Sequence, residues 1–249
     1  MSKKIVFLIM ALTLLLGLII PVSALSNEQH TAIQSLLEDA RRISGAPGIS
    51  VSILIEDEVF FFSSGYANRA GAIQVDETTL FELASLSKAF TGLGVLLLEQ
   101  QGFLSLDDSI VEYLPWFTLQ YRGRPIDMQY VTLNHFLHHT SGIVNSRHTD
   151  VVSPGSTPDM LQKTVESTNN AELAFQPGTR FEYGTVNYDI LGLVIEVVLG
   201  QSFEDFMEEQ VFRPLGLNQT FANRNRAKET GQLAQGYRLS FFITMPHDL

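Results

Sequence analysis

Apolar positions along this chain change their spacing several times, and each change marks an element. Ile5 to Ile20 carry no charge at all. After Ser26-Asn27-Glu28-Gln29, which has the Ser-x-x-Gln form of a capping box, Ile33, Leu36, Leu37 and Ala40 recur at helical intervals to about Ile43, and Gly45 stops the pattern. From Gly48 the period falls to two. Ile49, Val51, Ile53 and Ile55 alternate with Ser50 and Ser52, Glu56-Asp57-Glu58 turn, and a phenylalanine-rich run returns from Val59 to Tyr66. That predicts a helix followed by a two-stranded hairpin. Beyond residue 80 the period is helical again. Leu83 to Leu98 predicts a long apolar helix ended by Gly102, and Leu104-Ser105-Leu106-Asp107-Asp108 starts a short one that Pro115 stops. Residues 116–130 read as irregular, and Thr132 caps a helix through His138. A polar loop runs from Thr140 to Pro158, and Asp159–Ser167 reads as helical. A Gln176-Pro177-Gly178 turn precedes a second strongly apolar helix, Asn187–Leu199. A last helix is capped by Ser202 and ended by Arg213-Pro214-Leu215-Gly216. Strands at the front and helices over 80–215 make the fold α+β with a helical region.

The helix entered at Leu83 carries the most pointed chemistry. Between Leu83 and Leu98 its only charge is Lys88. A lysine among so many apolar residues is unfavourable unless it is paired or neutral. Ser85 stands three residues earlier, so one turn brings hydroxyl and amine to one face. A serine becomes a nucleophile when a neighbouring base takes its proton, and a lysine neutralised by burial can be that base. If the helix starts at Ser85, the free N–H groups of its first turn can stabilise an oxyanion. The plainer reading is a snorkelling lysine beside an N-capping serine. Lysine is scarce in this chain, at 3, 4, 88, 163 and 228 only, and Lys88 alone has a serine three residues before it.

Composition narrows the partners. The chain has 249 residues and a formal charge of −11. It lacks the basic stripe that nucleic-acid binding needs. Lys3 and Lys4, the uncharged run to Ile20 and the small-x-small pattern Val22-x-Ala24 read as a signal peptide over 1–24. That leaves 25–249 as one extracytoplasmic or secreted domain, with a membrane contact only if the segment stays uncleaved. No cysteine is present, so disulfides and thiolate metal sites are excluded.

Three histidines, His135, His138 and His139, invite a metal reading, because 135 and 139 are four apart. No glutamate stands between them as in H-E-x-x-H, and a helix end followed by a turn is the simpler account. Asp107-Asp108 reads as helix capping rather than a carboxylate pair. Asn218-Gln219-Thr220 has the form of a glycosylation acceptor.

Several stretches together carry a resemblance. They are Phe81-Glu82-Leu83-Ala84-Ser85-Leu86-Ser87-Lys88, Gly102 to Asp108, Leu137-His138-His139-Thr140-Ser141-Gly142, Phe175-Gln176-Pro177-Gly178, Tyr183 to Gly192 and Pro214-Leu215-Gly216-Leu217. In order and spacing they resemble the serine β-lactamase and penicillin-binding-protein superfamily, in its class C β-lactamase-like branch. The resemblance implies a β-lactamase/transpeptidase-like fold, an antiparallel sheet flanked by helices with an inserted helical region. It implies Ser85 as acylated nucleophile, Lys88 as its basic partner, and Tyr183 as a proton-transfer group. No metal and no cofactor are implied, and the substrate is a small molecule or cell-wall peptide: a β-lactam, a D-amino-acid peptide or a small ester. Two departures stand out. Thr185 occupies the asparagine position of the branch's Tyr-x-Asn motif, where substrate amides are held, and Asn187 is two residues out of place. No Lys- or His-x-Gly third motif precedes Leu249, so the sequence reads as lacking the family's C-terminal strands. A non-catalytic fragment or cell-wall-binding pseudoenzyme is therefore the alternative function. The oligomeric state has no signature in the sequence.

Overall fold

A computed structural model describes residues 25–144, 157, 159–240 and 243–246. The proposed signal segment 1–24, most of the 140–158 loop and Phe241-Phe242 lie outside the described residues. The rest divides into two compact units, with breaks between Thr79 and Leu80 and between Leu233 and Ala234.

The first unit opens with helix α1 (Asn27–Ser44). The predicted capping box is present: Ser26 Oγ accepts the Gln29 N–H at 3.2 Å and Gln29 Oε1 accepts the Ser26 N–H at 2.8 Å. Gly45 ends the helix at φ 72°, in the left-handed region open to glycine. Strands β1 (Gly48–Ile55) and β2 (Glu58–Asn68) form the predicted antiparallel hairpin, in register from Ile55↔Glu58 to Gly48↔Gly65. Strand β3 (Ile73–Gln74) joins β2, so the order is β1-β2-β3 and, among the described residues, β1 is an edge. Period-two alternation turns Phe60 and Phe62 to one face, where they meet Leu37 of α1 with Ile33, Ile49 and Val51 around them.

The second unit is mainly helical. It comprises α2 (Ser87–Gln100), α3 (Ile110–Tyr113), α4 (Leu133–Leu137), α5 (Met160–Ser167), α6 (Val186–Leu199), α7 (Phe203–Phe206) with a π-helical continuation over Met207–Phe212, and α8 (Arg224–Glu229). Helix α6 is its axis. Ile190, Leu191, Val194 and Ile195 are fully buried, and α2, α4 and α5 pack against it. A minor sheet joins β4 (Leu119–Tyr121) to β5 (Arg124–Pro125) on one side and, in parallel, to β6 (Ala171–Glu172) on the other. A ribbon of β7 (Tyr237–Ser240) and β8 (Ile243–Pro246) belongs to the first unit, where Gln235 N–H donates to the Ala67 carbonyl and Arg69 N–H to the Tyr237 hydroxyl, each at 2.9 Å.

Several expectations need correction. Helix α2 begins at Ser87, after a 3₁₀ turn over Ala84–Leu86, not at Leu83 or Ser85. Nor is it buried on all sides: Leu86 is 68% exposed, and Leu93 and Leu96 are over 40% exposed. Its buried face is Thr91, Gly92, Gly94, Val95 and Leu98. A Cβ on Gly94 would stand 2.9 Å from the Phe206 ring, so small residues beside Val95 and Leu98 let the helix seat closely. The 104–108 stretch is a turn, and α3 is capped by Ser109 in a box with Glu112. Asp108 instead accepts the Ser105 N–H at 2.6 Å and the Tyr113 hydroxyl. The irregular stretch 116–130 holds β4 and β5, turned at Arg122-Gly123, both at positive φ. Helix α8 had no distinct apolar period to announce it.

Among the described residues no helix is long and apolar enough to cross a membrane. The α+β class stands: a hairpin sheet backed by a helix, and a helical region following it.

Gly142 shows how tightly the loop after α4 is seated. Its φ is 88°, and a Cβ there would lie 2.3 Å from the Phe175 carbonyl oxygen. The Gly142 carbonyl accepts the Ala174 N–H at 3.0 Å. Left-handed backbone disfavours an alanine by about 1–2 kcal/mol, before the clash is counted. Gly142→Ala should therefore lower the unfolding free energy by at least that much, read as a lower urea midpoint with no change in the denaturant slope.

Candidate active site

Ser85 sits on the 3₁₀ turn that delivers the chain into α2. Ala84, immediately before it, has φ 48°, a conformation unfavourable to any residue with a Cβ and met where surrounding structure enforces it. The turn presents the Ser85 side chain to solvent. Its geometry also revises one expectation. The Leu86 N–H donates to the Leu83 carbonyl at 3.1 Å and the Ser87 N–H to Ala84, so these first-turn donors are engaged within the turn.

Lys88 follows one turn later, half-buried. Its Nζ lies 5.1 Å from the centroid of the Tyr183 ring and 6.0 Å from that of Tyr188. The Tyr183 hydroxyl donates to Ser85 Oγ at 2.8 Å. The three side chains named from the sequence, Ser85, Lys88 and Tyr183, are thus brought together. The Lys88 ammonium is the largest cause holding the Tyr183 hydroxyl below its ordinary range, followed by the hydrogen bond with Ser85, with a smaller contribution from Thr185.

Tyr183 reaches this point because the segment before it is strapped to the loop after α4. Gly178 N–H donates to the Thr140 carbonyl at 2.8 Å and Glu182 N–H to the His139 carbonyl at 2.9 Å. Beneath it lies a polar knot. Asn187, fully buried at the start of α6, accepts the Ser141 hydroxyl at 2.6 Å and donates to the Gly184 carbonyl at 3.0 Å. Asn187 therefore anchors the loop, and its amide is occupied there rather than offered in place of the motif asparagine. Thr185 is exposed at the N-cap of α6. Asp189, one turn inside α6, is pushed up to about 6 by burial against the opposing pull of Lys88.

The three histidines do not converge. His135 Nδ1 accepts the Thr132 N–H at 3.0 Å within a capping box, and His138 Nδ1 faces the Asn134 carbonyl at 3.1 Å. Among the described residues no set of three histidine and acidic side chains is placed to share a metal ion. His139 is the one that belongs to the site, with its ring centroid 4.6 Å from that of Tyr183. The sequence offered it as a metal ligand or, more simply, as part of a helix end before a turn. The signal was its place in the Leu137–Gly142 stretch, directly before Thr140-Ser141-Gly142.

Comparison with known proteins decides the family, since a model described as Beta-lactamase matches residues 33–240. The chain belongs to the beta-lactamase family. Protein flp of Staphylococcus aureus (strain MRSA252) is 32% identical over 219 residues, which cover 86% of this chain and 42% of that protein. Among solved structures, an octameric penicillin-binding protein homologue from Pyrococcus abyssi superimposes with a TM-score of 0.75 at 26% identity, over 87% of this chain and 50% of that one. EstCE1, a hydrolase with promiscuous acyltransferase activity, gives 0.70 at 26% identity, over 88% and 58%. This chain thus spans about half the length of the relatives it matches, or less. Membership in the beta-lactamase family accounts for the α+β fold and for the order of the motifs.

The strained turn yields a stability test. Glycine removes the steric penalty at Ala84 but adds chain entropy, effects of about 1 kcal/mol each. Ala84→Gly should therefore leave the thermal midpoint within a few degrees. Ala84→Val, β-branched at the same φ, should lower it clearly.

Proposed function

We propose that this protein is a serine hydrolase acting through an acyl-enzyme on Ser85. The observation that carries the reading is the 2.8 Å contact between the Tyr183 hydroxyl and Ser85 Oγ, with Lys88 over the same tyrosine ring. In its ionised form, favoured by the Lys88 charge, Tyr183 accepts the Ser85 proton. Ser85 Oγ then attacks the substrate carbonyl carbon and an oxyanion forms. The tetrahedral intermediate collapses, the carbon–leaving-group bond breaks, and the proton on Tyr183 passes to the departing atom, the oxygen of an ester or the ring nitrogen of a β-lactam. Water repeats the sequence on the acyl-enzyme and frees Ser85. The Ser85 N–H is this chain's candidate oxyanion donor. Lys88 acts here as the positive charge that prepares Tyr183, and its half-buried position suits that role.

The substrate class we propose is small esters and β-lactams ahead of unactivated amides. The support is Thr185, which is shorter than the branch's asparagine and carries one hydroxyl in place of an amide. We further propose that the protein acts outside the cytoplasm after removal of residues 1–24. N-terminal sequencing of the exported form should begin at Leu25.

Intact-mass spectrometry after incubation with a fluorophosphonate or a penicillin tests the main reading. One adduct is expected on the wild type and none on Ser85→Ala. Tyr183→Phe should form it about 10²- to 10⁴-fold more slowly, the range general acid–base groups supply. A folded wild type that takes no adduct would favour a cell-wall-binding pseudoenzyme instead.

The pH dependence follows from Tyr183. Its ionised form is the base and its pKa is lowered, so acylation should rise with pH and level off with a midpoint below 10. Lys88→Met, which removes the charge, should move that midpoint upward.

A further inference from the structure

We propose that His139 is a positioning residue for Tyr183, holding both its ring and its backbone in place over Ser85. The proposal rests on the reading above, in which Tyr183 handles the Ser85 proton. Two contacts carry it, and they act on different parts of the same dipeptide. The His139 ring packs on the Tyr183 ring with centroids 4.6 Å apart at 41°. Its Nδ1 accepts the Gly184 N–H at 3.3 Å, the peptide directly after Tyr183.

The tautomer follows from the partners. Nδ1 faces the Gly184 N–H and, also at 3.3 Å, the Asn187 Nδ2. Both groups are donors, the second assigned because the same amide donates to the Gly184 carbonyl and accepts from Ser141. Nδ1 must therefore be an acceptor, and the imidazole proton lies on Nε2. Protonating both nitrogens would set donor against donor. Burial, then the nearby Lys88 charge, push His139 below its ordinary pKa and favour the neutral ring.

The backbone of His139 is committed to the same task. Its φ of 55° lies in the left-handed region, and its carbonyl accepts the Glu182 N–H at 2.9 Å, on the other side of Tyr183. One residue thus grips the chain before Tyr183, the ring of Tyr183 and the chain after it. The ring also meets Tyr188 at 5.2 Å and, edge-on, Phe181 at 6.0 Å, so it cannot swing away without disturbing the aromatic residues on both sides. Ser85, Lys88 and Thr185 engage the hydroxyl of Tyr183, and with 42% of the residue exposed these packing contacts are what orient its ring toward them.

The test separates acceptor from ring. His139→Phe keeps an aromatic face and removes Nδ1. His139→Asn removes the ring and keeps an acceptor, Oδ1, close to where Nδ1 stood. Full-length protein labelled with ¹³C at tyrosine Cζ is titrated by NMR, and the Tyr183 resonance is assigned with Tyr183→Phe. Tyr183 should titrate higher in both variants than in wild type, because its hydroxyl is no longer held against Ser85 and Lys88. Fluorophosphonate acylation should fall about tenfold or more, part of what a general base supplies, with little change in apparent affinity. A Tyr183 midpoint equal to wild type in either folded variant overturns the proposal, even if the variant melts earlier. Should neither variant fold, ¹⁵N-histidine spectra of the wild type decide it: Nε2–H on His139 is expected, and Nδ1–H overturns it. None of the NMR readings needs turnover, so a wild type that takes no label would sink the acyl-transfer reading and leave this one standing or falling by itself.

Discussion

Ser85 and Tyr183 are 98 positions apart, and their side chains meet at 2.8 Å. Closing so long a loop onto one hydrogen bond is entropically unfavourable, and one such bond contributes only about 1 kcal/mol. The bond cannot hold itself. What holds it is the way each partner arrives: Ser85 on a turn leading into a helix seated by Gly92 and Gly94, Tyr183 on a segment strapped to the His139–Gly142 loop. Both supports end on α6, the most buried helix of the unit. The chemistry is therefore as sharply placed as the packing between α2, α4 and α6.

That arrangement explains why polar groups are tolerated so deep. Ser141 and Asn187 are fully inaccessible to solvent, yet each has partners, and among the described residues no buried side-chain nitrogen or oxygen lacks one. A satisfied polar knot fixes one geometry, where an apolar patch would permit several. Of its partners, Gly184 follows Tyr183 directly in the chain and His139 packs on the Tyr183 ring.

Much of the fold was legible because it rests on local rules. The Ser26 box, the Gly45 stop and the alternation from Ile49 to Ile55 depend on neighbours a few residues away, and they appear where the period places them. The departures have a common cause in contacts between distant residues. Leucine spacing made α2 look enclosed, but glycines decide how closely Phe206 and Met207 approach, and no periodicity in α2 records where those residues lie. Strands as short as β4, β5 and β6 have no period to detect. At the site, residue type and spacing announced Ser85 and Lys88, the family resemblance added Tyr183, and the structure brings the three together. The Leu137–Gly142 stretch marked His139, but its contact with Tyr183 was not legible, since stacking on a tyrosine 44 positions away leaves no trace in spacing. Asn187 stood out of place for the motif in the sequence, but its anchoring of Ser141 and Gly184 left no trace there, since sequence distance says nothing about which way an amide turns.

Strand β1 has a further consequence outside any active site. It is eight residues long, lies at the edge of its sheet among the described residues and exposes Leu54, while Val59 across the turn is exposed as well. An edge of that length is a template on which another copy's strand can hydrogen-bond. What opposes it is mutual repulsion, because the chain carries a formal charge of −11. Repulsion of this kind reaches about 30 Å at 0.01 M ionic strength and only about 8 Å at 0.15 M. Added salt therefore weakens the repulsion between copies and favours pairing at such an edge.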